Sequence, residues 1–173
     1  MNRLRALGFT FALLFAFTAT ADQAFPPCMA NGKKLGITNA QVKQWKETTQ
    51  NQFLGRARVR GVLSKMYEER KTHAHFQIEF DGGVEDTLEV VYNFGFGKLP
   101  KLAVGMEIEA CGDYITSNRP TAKYPVPSPD GGIIHWVHRT TGRHEAGYLA
   151  IDGQLYGQGS GWSVFDLIPA EAF

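Results

Sequence analysis

From Gly55 to Ile115 apolar and polar side chains alternate with a period of two, the spacing of strands that bury one face. Ala57, Val59, Gly61 and Leu63 alternate with Arg56, Arg58, Arg60 and Val62. Ala74, Phe76, Ile78 and Phe80 alternate with His73, His75, Gln77 and Glu79. Leu88, Val90 and Tyr92 alternate with Thr87, Glu89 and Val91, after a turn signal at Asp81-Gly82-Gly83. Met106, Ile108, Ala110, Gly112 and Tyr114 alternate with Glu107, Glu109, Cys111 and Asp113, after a connection punctuated by glycine and proline at 94–105. Upstream the period is helical: Ile37, Val42, Trp45 and Phe53 form a stripe, Thr38 and Gln41 have capping-box spacing, and Ile37 is placed to staple onto Val42.

The stretch 116–132 carries four prolines and no periodicity and reads as an exposed loop. Residues 133–151 read as a hairpin with its tip at Thr141-Gly142. Asp152-Gly153 then favours a type I′ turn into a short strand. The tail after 160, with Trp162, Phe165, Leu167 and Ile168, reads as docked on the barrel. Three short-linked strands, a connection and a further strand, with an inward glycine that lets the first strand coil, resemble the OB-fold. The expected architecture is mainly β: a small OB-like Greek-key barrel with an N-terminal helix and a C-terminal β-hairpin extension.

Composition bears on compartment. Arg3 and Arg5, the apolar run Ala6–Thr18 and the small residues Ala19-Thr20-Ala21 form a secretory signal peptide at 1–21. An N-terminal segment with the helix then covers 22–54, and the barrel domain 55–173. Without Arg3 and Arg5, Lys+Arg falls from 18 to 16 against 17 Asp+Glu, a net charge of −1. So small a charge gives no general attraction to nucleic acid or anionic lipid. The expected localisation is secreted, periplasmic, with no membrane span after cleavage. The two cysteines, Cys28 and Cys111, are expected to form one disulfide there.

Three of the five histidines fall between His135 and His144. In a hairpin with its tip at Thr141-Gly142, His138 faces Glu145, Trp136 faces Gly147, Arg139 faces His144 and His135 faces Tyr148. Alternation then puts His135 and His138 on opposite faces. It also puts His135 roughly 13 Å from the Arg139–His144 pair. One zinc ion cannot collect all three imidazoles, so no metal centre and no cofactor is expected. His138 beside Glu145 reads as a register-fixing ion pair, as a ligand contact, or as an acid–base pair with Asp113 as a further donor. Arg56, Arg58 and Arg60 line one face of the first strand, either for a ligand or paired with Glu79 and Glu89. His73 and His75 read as solvated strand residues or a weak metal chelate, and Phe94 and Phe96 as stacking platforms or core. Motifs for a nucleophile elbow, a P-loop or a zincin helix are absent from the sequence.

"CGDYI" with "GGIIHWVHRTTGRHEAGYLAIDGQLYG" resembles an uncharacterised family of secreted bacterial proteins with an OB-like core. Its pattern runs G-x-Y, then GG-V-I-H-W-T-H-H-D-P-x-G-R-H-x-x-G-W-L. Gly112, Tyr114, Gly131, Gly132, His135, Trp136, His138, Gly142, Arg143, His144, Gly147 and Leu149 match it, as do Gly153 and Tyr156 in its continuation x-x-x-G-x-x-Y, and Asn93 matches an Asn that ends the third strand. Arg139-Thr140-Thr141 departs from the usual H-D-P, and Tyr148 replaces Trp. The resemblance implies a secreted OB-like domain without an established activity. It adds Asn93 and Tyr114 to Arg56, Arg58, Arg60, His135, Trp136, Arg139 and His144 as expected ligand contacts. The expected function is a binding module for an envelope or extracellular ligand: a saccharide, an oligonucleotide or a protein. The alternatives are a hydrolase, as a metal-assisted nuclease using His138, Glu145 and Asp113, and a structural or interaction protein.

Overall fold

The structure is a computed structural model that describes residues 25–70, 72–80 and 86–159. The leader, the turn at 81–83 and the tail expected to dock lie outside the described residues. The elements run β1 (Met29–Ala30), β2 (Lys33–Lys34), α1 (Asn39–Thr48), β3 (Leu54–Met66), β4 (His73–Glu79) and β5 (Thr87–Asn93). They continue with a 3-10 turn (Phe94–Phe96), β6 (Glu107–Thr116), β7 (Gly132–His135), β8 (Tyr148–Ile151) and β9 (Gln154–Tyr156). Among the described residues no helix is long and apolar enough to cross a membrane.

Five strands close a barrel in the order β3-β4-β5-β7-β6 and back to β3, with β5 and β7 parallel and the other pairs antiparallel. This is the OB-like arrangement that the period-two runs predict. Ala57, Val59, Leu63, Phe76, Ile78, Leu88, Val90, Tyr92, Ile108, Ala110 and Tyr114 all turn into one core. β3 changes partner midway: Leu54–Val62 pair with β6, and Val62–Met66 with β4. A Cβ at Gly61 would lie under 3.0 Å from the Glu79 carbonyl, so the switch needs a residue with no side chain.

α1 packs Val42 and Trp45 onto the core, with Trp45 stacked on Tyr114 at 5.5 Å. The expected capping box is not formed. Thr38 makes no side-chain cap; its hydroxyl donates to the Arg58 carbonyl and accepts from the Arg58 amide, which fastens the helix start to β3. Gln41 instead bonds Gln44, and Ile37 is exposed.

The hairpin expected at 133–151 is corrected. β7 and β8 do not pair with each other. They lie end to end along one edge of β6: His135 opposite Asp113, Tyr148 opposite Cys111. Residues 136–147 leave and rejoin this edge at Gly112. The neck is too tight for side chains: a Cβ at Gly112 would lie under 3.0 Å from the His135 carbonyl, and one at Gly147 under 3.0 Å from those of Cys111 and Trp136. The cross-strand pairs of the expected hairpin therefore do not exist. The C-terminal hairpin is β8–β9, turned by Asp152 and Gly153 at φ 46° and 78°, as the Asp-Gly signal predicts.

The segment 25–35 straps the outer face of β6 and β8. Cys28 and Cys111 form a disulfide, and Phe25 stacks on Tyr148 at 5.8 Å. Phe25, Leu35 and Leu155 cover this second, smaller apolar cluster.

Candidate functional site

The bulge 136–147 and β4 bring together what a hairpin would separate. The rings of all five histidines lie in one chain of contacts. His75 approaches His73 at 6.4 Å and His73 approaches His135 at 5.6 Å. His135 stacks on Trp136 at 5.0 Å, Trp136 on His144 at 5.8 Å, and His144 meets His138 edge-on at 4.8 Å. The opposite-faces expectation for His135 and His138 fails because 136–147 is not a strand. Trp136 takes a left-handed φ of 51°, which turns the chain and lets successive rings stack.

The triad His138, Glu145 and Asp113 is not assembled. His138 is buried flat on Phe96 at 3.5 Å and donates Nδ1–H to the Arg139 carbonyl. Burial lowers its pKa despite that bond. Glu145 is exposed and accepts the Asn31 amide. Asp113 accepts from Arg56 at 2.9 Å. His144 donates Nδ1–H to the Glu145 carbonyl, and its Nε2 is buried with no hydrogen-bond partner. Among the described residues no group of three or more His, Cys, Asp or Glu side chains is arranged to hold a metal ion.

The arginine face of β3 is engaged internally. Arg56 holds the Met29 carbonyl, Asp113 and the Ala146 carbonyl, joining the strap, β6 and the return of the bulge. Arg58 and Arg60 meet at Glu109, at 2.8 and 2.6 Å, rather than pairing with Glu79 and Glu89. Burial works against ionisation of Glu109, but bonds from Tyr148, Arg60 and Arg58 outweigh it and hold its pKa below the ordinary value. Tyr114, expected at a ligand, is fully buried in the core beneath Trp45, because its even position points inward. Asn93 caps the 3-10 turn by accepting the Gly95 amide. Arg139 is exposed and lies over the Phe96 ring at 5.6 Å.

Two cavities flank the histidine chain and share His135 and Trp136 as their common wall. One, of about 490 Å³, opens beside Asn93, Phe96, Arg143 and His144. The other, of about 390 Å³, sits on the outer face of β4, β5 and β7. Its floor holds His75 and Glu89, whose Nδ1 and Oε1 are 2.6 Å apart. Both are buried, at 8% and 3% exposure. An ionised carboxylate only accepts, so Nδ1 of His75 carries a proton, and in the neutral form of the ring Nε2 is the acceptor. His73 and Arg70, joined by a backbone bridge, also line it. Burial, and then the neighbouring His75, lowers the pKa of His73. Burial, then His73, His138, His75 and His144, pushes His135 down to about 4.

The roof of this cavity is the proline-rich loop 117–131, with Tyr124 and Val126 at 51% and 56% exposure. The loop is held in place. Asp130, itself buried, accepts from Tyr67 at 2.8 Å, Gln77 at 2.5 Å and Thr87 at 2.7 Å. The hydroxyls of Ser117 and Ser128 serve the same loop: Ser128 N–H donates to Ser117, and Ser128 bonds Gly132 and Asp130.

His75 and Glu89 are the site residues that reading the sequence underrated. The signal was available. Glu79 pairs with Thr87, so Gln77 falls opposite Glu89, and His75 is its diagonal neighbour on the same outer face. Comparison with protein-family models, curated proteins and solved structures returns no match.

Proposed function

We propose that the protein is a secreted, periplasmic binding module that takes a ring-bearing chain, an oligonucleotide or a saccharide, into the cavity on β4 and β5. The observation that carries this reading is the position of the cavity. β4 and β5 are the second and third barrel strands, and the cavity is bounded by Arg70 from the first–second connection and by the fourth–fifth connection, 117–131. That face and those two loops are where OB barrels bind oligonucleotides and oligosaccharides. The preformed loop supports the reading, because a ligand need not order it. The leader-like start of the sequence and the Cys28–Cys111 disulfide support the compartment.

Calorimetric titration with short oligoribonucleotides, oligodeoxynucleotides and oligosaccharides tests it. One class should bind with a stoichiometry of one. Tyr124→Ala, which removes the exposed ring at the cavity mouth, should weaken that binding by about 1–3 kcal/mol. Failure of every class to bind, or binding indifferent to Tyr124, would contradict the assignment.

A further inference from the structure

The cavity floor carries more than a binding surface needs. Burying a carboxylate against an imidazole is costly unless the pair is well bonded, and a buried, carboxylate-oriented imidazole is a proton acceptor. The surroundings narrow the chemistry. Glu89 is the one carboxylate among the cavity's described lining residues, and it is committed to His75, so the paired carboxylates of glycoside hydrolysis are missing. The bonds of the two lining serines run to the loop's own backbone and to no imidazole or carboxylate among the described residues, so neither is an activated nucleophile. What remains is an oriented imidazole, a second imidazole 6.4 Å from it, the His135 imidazole 5.6 Å beyond that, and a guanidinium. That set suits a substrate that carries its own nucleophile next to an anionic centre.

Resting on the binding reading above, we propose that the site cleaves single-stranded RNA, with His75 as base, His73 as acid and Arg70 facing the phosphate. Nε2 of neutral His75 takes the proton of a ribose 2′-hydroxyl. The 2′-oxygen bonds to phosphorus, and the bond from phosphorus to the 5′-oxygen breaks with its electron pair. Protonated His73 gives that leaving oxygen its proton. The products are a 2′,3′-cyclic phosphate and a free 5′-hydroxyl, and no other reactant is consumed. A phosphate between His73 and Arg70 favours the charged imidazole that this step needs. Glu89 touches neither reacting atom; it is a positioning residue that fixes the tautomer of His75. The near-neutral chain contributes little long-range attraction, so the substrates are short strands held by the cavity.

The test uses the purified full-length chain in EDTA with a fluorogenic oligoribonucleotide and its 2′-deoxy counterpart. The expected result is cleavage of the RNA to cyclic-phosphate ends, with the deoxy strand intact. His73→Ala and Glu89→Gln should each lose about a hundredfold or more in rate while melting within a few degrees of wild type, and Glu89→Asp should recover part of the loss. Uncut RNA, or a rate unchanged in folded His73→Ala and Glu89→Gln, overturns the proposal. Binding of the deoxy strand separates the two readings. If it is bound while RNA is never cut, catalysis alone falls; if neither strand is bound, catalysis and the oligonucleotide reading of the cavity fall together.

Discussion

Nδ1 of His75 and Oε1 of Glu89 meet at 2.6 Å along a diagonal of the β4–β5 pair, and both side chains are buried in the floor of the cavity. Removing one member alone leaves the other buried without its partner. His75→Leu should therefore cost about 3–5 kcal/mol, whereas His75→Leu with Glu89→Leu should regain most of that loss. Glu89→Gln keeps an acceptor for Nδ1 and should cost only about 1–2 kcal/mol. Urea denaturation of the three variants checks the order.

The neck of the bulge gives a second prediction. Gly147 sits where a Cβ would collide with the carbonyls of Cys111 and Trp136, and these are backbone atoms that cannot swing aside. Gly147→Ala should destabilise by about 1–3 kcal/mol or more. Gly142, whose Cβ would meet nothing within 4 Å, has a left-handed φ of 87° and should lose only the smaller backbone cost on the same change. Thermal melting of both variants separates crowding from conformation.

The disulfide closes a span of 83 residues between the strap and β6. Loop entropy assigns such a closure about 4–5 kcal/mol, less any native strain. Cys28→Ala with Cys111→Ala should lower the unfolding midpoint accordingly. It should also loosen the strap, read as faster hydrogen exchange at Leu35, whose amide bonds the Cys28 carbonyl.

Acid should weaken the fold through the histidine chain. His135 is pushed down to about 4 in the folded chain, chiefly by burial and then by its neighbouring imidazoles, against about 6.5 unfolded. The unfolded state therefore binds the proton first as pH falls. The contribution is complete above about pH 6.5 and lost progressively down to about pH 4, an amount of about 3 kcal/mol. His73 and His138 shift in the same direction. Stability measured from pH 7 to 4 should fall, and His135→Gln should flatten part of that slope.

The barrel was legible because each strand buries one face: a period of two placed Val59, Phe76, Val90 and Ile108 in the core before any pairing was known. The local pattern is misleading at 136–147. There the turn signal at Thr141-Gly142 between two apolar runs reads as a hairpin tip, but Gly112 and Gly147 allow the chain to leave the sheet, and pattern alone does not distinguish an extruded loop from a paired strand. Trp136 at positive φ is a tertiary outcome that local propensity argues against. The arginines of β3 share one face as expected, yet their partners, Asp113 for Arg56 and Glu109 for Arg58 and Arg60, lie on β6, a pairing that depends on barrel closure. His75 was underrated for a related reason: the proline-rich loop covers the outer face of β4 and turns a nominally solvated side chain into a buried one.

The central claim is that ligand occupies the cavity on β4 and β5. The most direct measurement follows the imidazole and backbone resonances of the protein by NMR during titration with a short single-stranded oligonucleotide made with 2′-deoxyribose, so that it is not consumed. The first and largest shifts are expected at His73, His75, His135 and Tyr124. Arg60, Glu107 and Gly153, which line a separate surface recess, should stay unmoved. Shifts centred on that recess, or none at the histidines at saturating ligand, would contradict it.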